Sequence, residues 1–404
     1  MKRIAYITVK APFGTQETFI LTEILALKEM GADILILPRD KSGDLFHKEA
    51  ESLLEDILCI PWFDVDIAKD FMKFICRKPV YFIKIMYDTV FKARNIRIAF
   101  KNLIVFPKAV SLSENLKEAS ISHIHAHWAS TPSTMAYIIS EVTGIPWSFT
   151  AHRGDIAENN IISKKCASAS FVRAIDEKGR KDLTGIVGDS VPDRKILTLH
   201  MGVEVAGNVK KPAISQEAFT ILCPANFVPK KGHRYLFESC RILSDKGMNF
   251  ECLISGDGSL EDELKKMVEG LPVGCNIRFL GRLPHEQLLG LYAEGRVDVV
   301  VLPSIVTGDD VREGIPVALM EAMSYGIPVI STRTGGIPEL LGDGSGIMVE
   351  EKDAESLAGA IETLINDPDY YALTGMRGRK RIERDFNISL ISKRLLELFS
   401  TGIQ

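Results

Sequence analysis

The feature that most constrains the fold is a repeated alternation of short apolar runs with helical segments. The series starts with an apolar run at 3–9, a helical pattern over 16–30 and a second apolar run at 33–37. Further runs with the composition of buried strands follow at 122–127, 147–150, 170–173 and 195–199. Short apolar strands separated by helices are typical of parallel sheets with crossover helices on both faces. This half of the chain is predicted to form a doubly wound α/β domain.

A second series of the same kind begins after a polar, irregular stretch at 206–216 that contains Pro212. Apolar runs recur there, with helical segments between them, at 219–223, 250–254, 276–280, 297–302, 327–331 and 346–349. We therefore expect two Rossmann-like domains, at 1–205 and 206–380. A terminal helix is expected at 381–404, and periodicity alone does not specify whether it packs back on the first domain. Ligands of such sheets bind beyond the carboxyl ends of the strands.

Composition and charge exclude several classes of protein. The chain is 46% hydrophobic and 25% charged, which is typical of a globular protein and not of a disordered or fibrous one. A net charge of −4 argues against a general nucleic-acid binder. No stretch approaches the ~18 uncharged apolar residues that span a bilayer, and the initial run at 1–10 is too short for a signal peptide. Seven cysteines without a CxxC pair indicate a reduced, cytoplasmic protein without a structural zinc site.

One segment near 60–110 has a different character and is predicted to be a basic helical insertion. Between Phe71 and Lys108 there are nine basic residues and one acidic residue, Asp88, which gives a net charge of +8. Seven aromatic residues lie among them. Two interpretations are open: an amphipathic surface for anionic lipid or a lipid-diphosphate substrate, or a helical insertion whose aromatics are core and whose lysines are solvated.

The most informative stretch for chemistry is 313–329, in which seven residues separate Glu313 from Glu321. Pro316 suits the first position of a helix, because its missing N–H would be unpaired there anyway. Glu313 then lies in the preceding loop, and Glu321 lies about one and a half turns inside the helix. The free N–H groups of a first helical turn form an anion site that suits a diphosphate. Carboxylates beside it would accept hydrogen bonds from sugar or ribose hydroxyls. Taken alone, however, Glu321 fits an ordinary surface-helix residue better, because most glutamates on such helices only cap or form pairs.

Six further motifs accompany this stretch: TQETFI at 15–20, HIHAHW at 123–128, KKGH at 230–233, SGDGSL at 255–260, FLGRL at 279–283 and TGGIPEL at 334–340. In combination with Glu313 and Glu321, these motifs resemble glycosyltransferase family 4, a retaining family with GT-B architecture. The resemblance extends over nearly the whole chain, and the motifs at 15–20 and 123–128 resemble the branch of the family that builds exopolysaccharide, lipopolysaccharide and colanic acid.

The resemblance implies two Rossmann-like domains that face a central cleft. It implies a hexosyltransferase that moves sugar from a UDP- or GDP-sugar donor to a saccharide or lipid-linked acceptor in cell-surface polysaccharide synthesis. It implies no metal and no other cofactor. The cysteine inventory and the net charge, in turn, predict a cytoplasmic protein without a nucleic-acid partner, and the +8 segment motivates a peripheral place on the inner face of the membrane, with an anionic membrane surface as a partner.

The resemblance also assigns donor-side roles. Glu313 would lie beside the donor sugar, Glu321 would hold the ribose hydroxyls, and Lys231 would neutralise the departing diphosphate. Asn226 stands five residues before Lys231, where the family usually has arginine, and an amide supplies neither the charge nor the bidentate geometry of a guanidinium. A weaker diphosphate contact or a different donor therefore stays open. The other implied donor-side residues are Gly256, Arg282, Leu283, Gly314, Ile315, Pro316 and Val317.

In the first domain the resemblance implies that His152, with Lys231 and Glu313, is catalytic, and that His152 faces the donor sugar's hydroxyls. Its implied acceptor-side residues are Gly14, Thr15, Arg153 and Asp155. Three further histidines alternate along a predicted strand, so they share one face and are expected to be structural or acceptor-facing and not metal ligands. They are His123, His125 and His127.

Two other functions stay open. An epimerase of GT-B shape would release an altered nucleotide sugar without any acceptor. A catalytically weak or inactive nucleotide-sugar-binding protein would keep the fold without the catalytic activity. Asn226 and the unusual loop at 12–15 are the sequence features that would indicate such a protein.

Overall fold

The computed structural model describes residues 3–11, 18–40, 48–207, 218–308 and 313–402. The chain divides into two compact units: Met1–Gly202 together with Ile388–Gln404, and Val203–Asn387. The boundaries expected from the sequence, at 205 and 380, differ from these by a few residues.

In the described part of the first unit, six parallel strands form one sheet in the order β2-β1-β3-β4-β5-β6. The central strands are buried on both faces, as the continuous apolar runs predict. The strands are β1 (Arg3–Thr8), β2 (Ile34–Pro38), β3 (Ile121–His127), β4 (Trp147–Ala151), β5 (Phe171–Ala174) and β6 (Ile196–Thr198).

Helices cover both faces of this sheet. The last of them is the C-terminal helix, which shares a core with β1 and α1 through Leu395 and Phe399. The α-helices of the unit are α1 (Thr18–Glu29), α2 (Val65–Arg77), α3 (Pro79–Met86), α4 (Ile96–Glu118), α5 (Thr131–Thr143), α6 (Arg153–Glu158), α7 (Ile162–Ser168), α8 (Glu177–Val187) and α16 (Ile388–Thr401). A π-helical turn, Tyr87–Phe91, follows α3, and short 3-10 turns lie at Lys48–Asp56, Gly188–Ser190 and Asp193–Lys195.

The basic segment forms α2, α3 and α4, and its aromatic residues divide between two environments. Phe74 and Phe106 are buried, and the rings of Phe71 and Phe106 lie 5.5 Å apart in an edge-on contact. Lys108 is also buried, and its ammonium donates hydrogen bonds to two backbone carbonyls. Four other aromatic residues are exposed: Tyr81, Tyr87, Phe91 and Phe100. The buried aromatic residues belong to the core, as one of the two interpretations expects, and the lipid-surface interpretation stays a prediction.

Across the described residues of the second unit, six parallel strands form a sheet in the order β12-β11-β10-β7-β8-β9. The strands are β7 (Phe219–Pro224), β8 (Phe250–Ser255), β9 (Ile277–Gly281), β10 (Val299–Leu302), β11 (Val329–Thr332) and β12 (Ile347–Val349). The helices are α9 (His233–Asp245), α10 (Glu261–Glu269), α11 (His285–Ala293), α12 (Val317–Ser324), α13 (Ile337–Leu341), α14 (Ala354–Asn366) and α15 (Pro368–Arg381). Short turns lie at Pro229–Lys231, Val273–Cys275, Gly342–Gly344 and, π-helical, Ile382–Phe386.

Each sheet has a point at which the chain reverses the direction in which it adds strands. In the second sheet, β8 and β9 extend one way from β7, while β11 and β12 extend the other way from β10. In the first sheet, the same reversal separates β1 from β3. Ligands of doubly wound sheets bind beyond the carboxyl ends of the strands at such points. The loops after β7 and β10, and after β1 and β3, are thus the places to look for a site.

Candidate functional site

An ion pair occupies the reversal point of the second sheet. Lys231 follows β7 and Glu313 follows β10, and Lys231 Nζ lies 2.7 Å from Glu313 Oε2. Lys230 Nζ lies 3.8 Å from the other carboxylate oxygen. Glu313 is buried, and no hydrogen bond of good geometry from a described residue reaches its Oε2, so the ionic contact is what holds that oxygen. Two cations against one carboxylate leave the cluster with a positive charge for an anionic ligand.

Two glycines allow the loops that carry this pair to pack closely. Gly232 has a φ of +66°, and a Cβ there would lie 2.0 Å from the carbonyl oxygen of Pro303, in the loop after β10. Gly335 has a φ of +59°, and its Cβ would lie 1.9 Å from the carbonyl oxygen of Glu313. Gly336 N–H donates to that same oxygen at 3.2 Å. Only glycine fits at both places, so the KKGH and TGGIPEL motifs allow their loops to pack against the loop after β10 that carries Glu313.

The first two N–H groups of helix α12 have no partner within the helix. It begins at Val317 with Pro316 as its N-cap, one residue later than the sequence predicts, because the ψ of Pro316 is 120° and therefore extended. The Pro316 carbonyl accepts the N–H groups of Leu319 and Met320 at 3.1 and 3.3 Å. The N–H groups of Val317 and Ala318 have no partner within the helix. Together with the positive end of the helix dipole, they form an anion-binding terminus.

Glu321 has a partner that the sequence did not indicate. Its Oε1 lies 2.7 Å from Nε2 of His285, the first residue of α11, and the carboxylate is 14% exposed. The two residues are 36 positions apart, and no motif links them. The contact fixes the orientation of the Glu321 carboxylate and leaves its second oxygen for another donor.

The remaining predicted donor-side residues follow strands of the same sheet. Asn226 is exposed after β7, and Gly256 comes directly after β8. Arg282, after β9, pairs with Asp257 at 3.2 Å between Nη1 and Oδ2, and the neighbouring Leu283 is half-buried. Because all strands of the sheet are parallel, their carboxyl ends gather these residues at one edge.

In the first unit, His152 follows β4 and is the N-cap of α6. Its Nε2 lies 2.8 Å from Nε2 of His127, at the end of β3, and its ring stacks on Trp128 with the centroids 4.2 Å apart. Burial, with a smaller contribution from the charge of Arg173, lowers the pKa of His152 to about 3. The imidazole is therefore neutral near pH 7 and acts as a hydrogen-bonding group, not as a cation.

Behind His127 lies a buried chain of polar groups that the sequence did not indicate. The Tyr6 hydroxyl donates to the carboxylate of Glu23, and its oxygen lies 3.3 Å from Nδ1 of His127. Arg173 Nη1 donates to the other Glu23 oxygen at 2.5 Å, and both side chains are completely buried. The signal in the sequence was a charged residue at an apolar position, since Glu23 interrupts the buried face of α1.

This chain selects one tautomer of His152. Burial and the charge of Glu23 raise the pKa of Tyr6 well above its ordinary value, so the phenol stays protonated and directs its proton to Glu23. The phenol oxygen then accepts the proton on Nδ1 of His127, and Nε2 of His127 accepts the proton on Nε2 of His152. His152 is left with an unprotonated Nδ1 that can accept a hydrogen bond.

Arg153 and Asp155 hold the loop that carries His152. Asp155 accepts hydrogen bonds from the backbone N–H groups of His152 at 2.7 Å and of Ala129 at 2.5 Å. Burial raises the pKa of Asp155 to about 7. Arg153 Nε donates to Asp176 at 2.8 Å. The acceptor-side roles of Arg153 and Asp155 stay predictions, and Gly14 and Thr15 lie outside the described residues.

The other two histidines of β3 are bonded to hydroxyls of β4. His123 Nε2 lies 2.7 Å from Ser148 Oγ, and His125 lies 2.8 Å from the same oxygen and 2.9 Å from Thr150 Oγ1. Burial lowers the pKa of His123 to about 4 and that of His125 well below the usual value. These contacts make both residues structural. Within the described ranges, no group of three His, Cys, Asp or Glu residues could hold a metal ion.

The buried histidines are expected to make the first unit acid-sensitive. Their folded-state pKa values lie below 6.5, so the unfolded chain binds more protons under that pH and the free energy of unfolding falls as the pH drops from 6.5 towards 4. Each of these histidines should lower the free energy of unfolding by about 2 kcal/mol as the pH falls from 6.5 to 5. Asp155 has the opposite effect, since its raised pKa favours folding as the pH falls from about 7.

Urea unfolding over a series of pH values measures this slope. His123→Gln should reduce the slope by the equivalent of about one proton, while His285→Gln, at a more exposed position in the other unit, should leave it unchanged. A stability that is independent of pH between 6.5 and 5 would contradict the neutral, buried state of these side chains.

Known proteins resemble this chain in sequence. Residues 207–381 match the family model described as glycosyl transferases group 1. The chain is 37% identical over 213 residues to the putative colanic acid biosynthesis glycosyltransferase WcaL of Escherichia coli (strain K12), and this match spans 51% of either chain, about half the length of that relative. It is 27% identical over 406 residues to the amylovoran biosynthesis glycosyltransferase AmsK of Erwinia amylovora, which covers 98% of both chains.

Solved structures resemble the whole chain. Anabaena Alr3699/HepE in complex with UDP has a TM-score of 0.71 at 16% identity and covers 99% of this chain and 100% of its own. A glycosyltransferase from Rickettsia africae has a TM-score of 0.69 at 19% identity and covers 100% and 99%. Both confirm the predicted fold, two Rossmann-like parallel sheets. The match at 207–381 places a group 1 glycosyltransferase domain in the second unit, and along its whole length the chain is similar to glycosyltransferases.

Proposed function

We propose that this enzyme is a retaining hexosyltransferase that moves a sugar from UDP- or GDP-sugar to a saccharide or lipid-linked acceptor in cell-surface polysaccharide synthesis, lipopolysaccharide included. The observation that carries the proposal is the Lys231–Glu313 pair at the reversal point of the second sheet. The names of two relatives, which refer to colanic acid and amylovoran, support the polysaccharide. A structural neighbour described in complex with UDP-glucose supports the class of donor.

In the proposed reaction, the bond between the donor sugar and the diphosphate breaks as the acceptor hydroxyl oxygen attacks from the same face, and the hydroxyl proton passes to the departing diphosphate oxygen. The departing diphosphate gains negative charge, which Lys231 and the free N–H groups of α12 would neutralise. Lys231 would exchange its contact with Glu313 for the phosphate, and Glu313 would then accept a sugar hydroxyl. Charge stabilisation of the leaving group is what raises the rate, because it is stronger in the transition state than in the bound donor.

The same proposal gives roles to the other residues. Glu321, oriented by His285, would bind the ribose hydroxyls, and the unprotonated Nδ1 of His152 would accept a hydrogen bond from a donor-sugar hydroxyl. The scheme uses the cations of the chain itself and needs no metal or other cofactor. We place the enzyme in the cytoplasm, as a peripheral protein at the inner face of the membrane. The described helices include none that is both long and apolar enough to span a bilayer.

Calorimetry with UDP and GDP, combined with a transfer assay, tests the proposal. Glu321→Gln should weaken nucleotide binding about tenfold, because a neutral amide accepts hydroxyl hydrogen bonds less strongly than a carboxylate. His152→Ala should leave nucleotide binding unchanged and lower turnover. Glu286→Gln, on the exposed surface of α11, is the matched control and should alter neither.

The other outcomes identify the alternatives. Wild-type binding and turnover in both test variants would remove the assignment. An altered nucleotide sugar formed without any acceptor would identify an epimerase. Nucleotide binding without turnover on any acceptor would identify an inactive binding protein.

A further inference from the structure

The exposed apolar surface of the described chain is concentrated in one place. Of eighteen large hydrophobic side chains that are exposed among the described residues, twelve lie between 63 and 104, on and around α2, α3 and α4. Several are almost fully in solvent, with exposed fractions of 91% for Phe63, 88% for Ile96, 76% for Val80 and 75% for Phe91. Soluble proteins rarely leave so many large apolar groups together without a partner.

These side chains form stripes on the outer faces of the helices. On α3 and the turn after it, Val80, Ile83 and Tyr87 have the spacing of one helical face, and they are 76%, 65% and 55% exposed. On α4 the exposed residues Ile96, Phe100, Leu103 and Ile104 have the same type of spacing. The inner faces carry core residues of the unit, such as Ile85, Ile98 and Val105. The outer stripes are therefore not needed to build the core.

Positive charge surrounds the stripes. Seven of the nine basic residues between Phe71 and Lys108 are exposed: Lys73, Arg77, Lys78, Lys84, Lys92, Arg94 and Arg97. The single acidic residue, Asp88, is buried and pairs with Lys164 at 2.9 Å and with the exposed Lys92 at 3.4 Å. Lys73 and Lys84 pair with acidic residues outside the segment. Among the residues that the structure describes, Arg77, Arg94 and Arg97 form no ion pair.

We propose that the outer faces of α2, α3 and α4 form a docking surface for an anionic lipid bilayer. The apolar side chains would insert at the level of the headgroups, and the surrounding lysines and arginines would contact the lipid phosphates. A second copy of the chain is a poor occupant, because it would place one cationic surface against another. This inference rests on the proposed function, which has a lipid-linked acceptor, but vesicle binding requires neither donor nor turnover.

Co-sedimentation of the full chain with phosphatidylcholine vesicles, with and without phosphatidylglycerol, tests this surface. Binding should require phosphatidylglycerol and should weaken as salt is added. Arg94→Gln with Arg97→Gln should weaken binding about 25-fold, at about fivefold for each cation. Ile96→Ser with Phe100→Ser should weaken vesicle binding at least as much. This double substitution should also remove the component of binding that persists at high salt, because that component comes from apolar contact.

Matched controls come from exposed residues of the same types elsewhere. Val273→Ser and Arg296→Gln lie on the second unit and should leave binding unchanged. All substituted residues are at the surface, so thermal melts should agree with wild type. Equal binding to both kinds of vesicle, or equal losses from test and control variants, would overturn the proposal. The proposal would also be overturned if the wild-type chain is a dimer that does not bind vesicles and if Phe100→Ser converts that dimer to monomers. Nucleotide binding is measured on the same two double variants. If they still bind nucleotide, a loss of vesicle binding is distinguished from a failure of the proposed function.

Discussion

Lys231→Met is expected to lower kcat by about 10²–10³, because in the proposed reaction Lys231 neutralises the charge that develops as the diphosphate leaves. The methionine keeps the length of the side chain and removes its charge. Lys231 is 15% exposed and lies 2.7 Å from Glu313, in a place where water screens its charge little. Single-turnover measurements with saturating donor should show the loss in the chemical step, beyond any loss of donor affinity.

Lys230 provides the matched control for this prediction. It is the adjacent residue on the same turn, but it is 32% exposed and its ammonium lies 3.8 Å from Glu313. Because a longer contact in a more solvated place contributes less, Lys230→Met should lower kcat no more than about tenfold. Equal reductions in kcat from the two variants would mean that the rate depends on the total charge of the turn and not on Lys231 in particular. An unaffected Lys231→Met would show that the diphosphate leaves elsewhere.

The fold could be predicted because its signals are local. A parallel strand buried on both faces is an apolar run, and the caps and breakers between runs mark the helices. The run at 195–199 and the strand Ile196–Thr198 illustrate the agreement. The residues that follow strand ends could also be predicted, since parallel topology fixes which ends meet: Lys231 and Glu313, 82 residues apart, are brought together by the order of β7 and β10 alone.

The partners of these residues could not be predicted, since they depend on how distant elements pack. His285 reaches Glu321 from a different helix, and no local pattern indicates that pair. The basic segment gives the same lesson: Phe74 and Phe100 have similar neighbours in sequence, yet one is in the core and the other in solvent. Which face of a helix is covered is decided by the rest of the fold, and periodicity gives only the faces themselves.

Glu23→Gln is expected to cost about 3–5 kcal/mol in the free energy of unfolding, because it leaves the guanidinium of Arg173 buried without its counter-ion. Arg173 cannot move into water to relieve this, since it is completely buried and Nε and Nη2 remain bonded to the carbonyls of Leu199 and His200. Urea unfolding at pH 7.5, followed by linear extrapolation, measures the loss. Glu29→Gln, at the exposed end of the same helix, should change stability by less than about 0.5 kcal/mol.

The double variant Glu23→Leu with Arg173→Met distinguishes a buried ion pair from a residue that merely fills space. If the cost of the single substitution is that of an isolated charge, removal of both charges should recover most of the lost stability, since apolar groups of similar volume can replace a buried pair. If the double variant instead loses the summed unfolding free energies of the two single variants, an isolated buried charge is not the cause. Even with its stability recovered, the double variant should have a lower turnover rate. Without Glu23, the Tyr6 hydroxyl has no carboxylate to donate to, so the tautomers of His127 and His152 are no longer fixed.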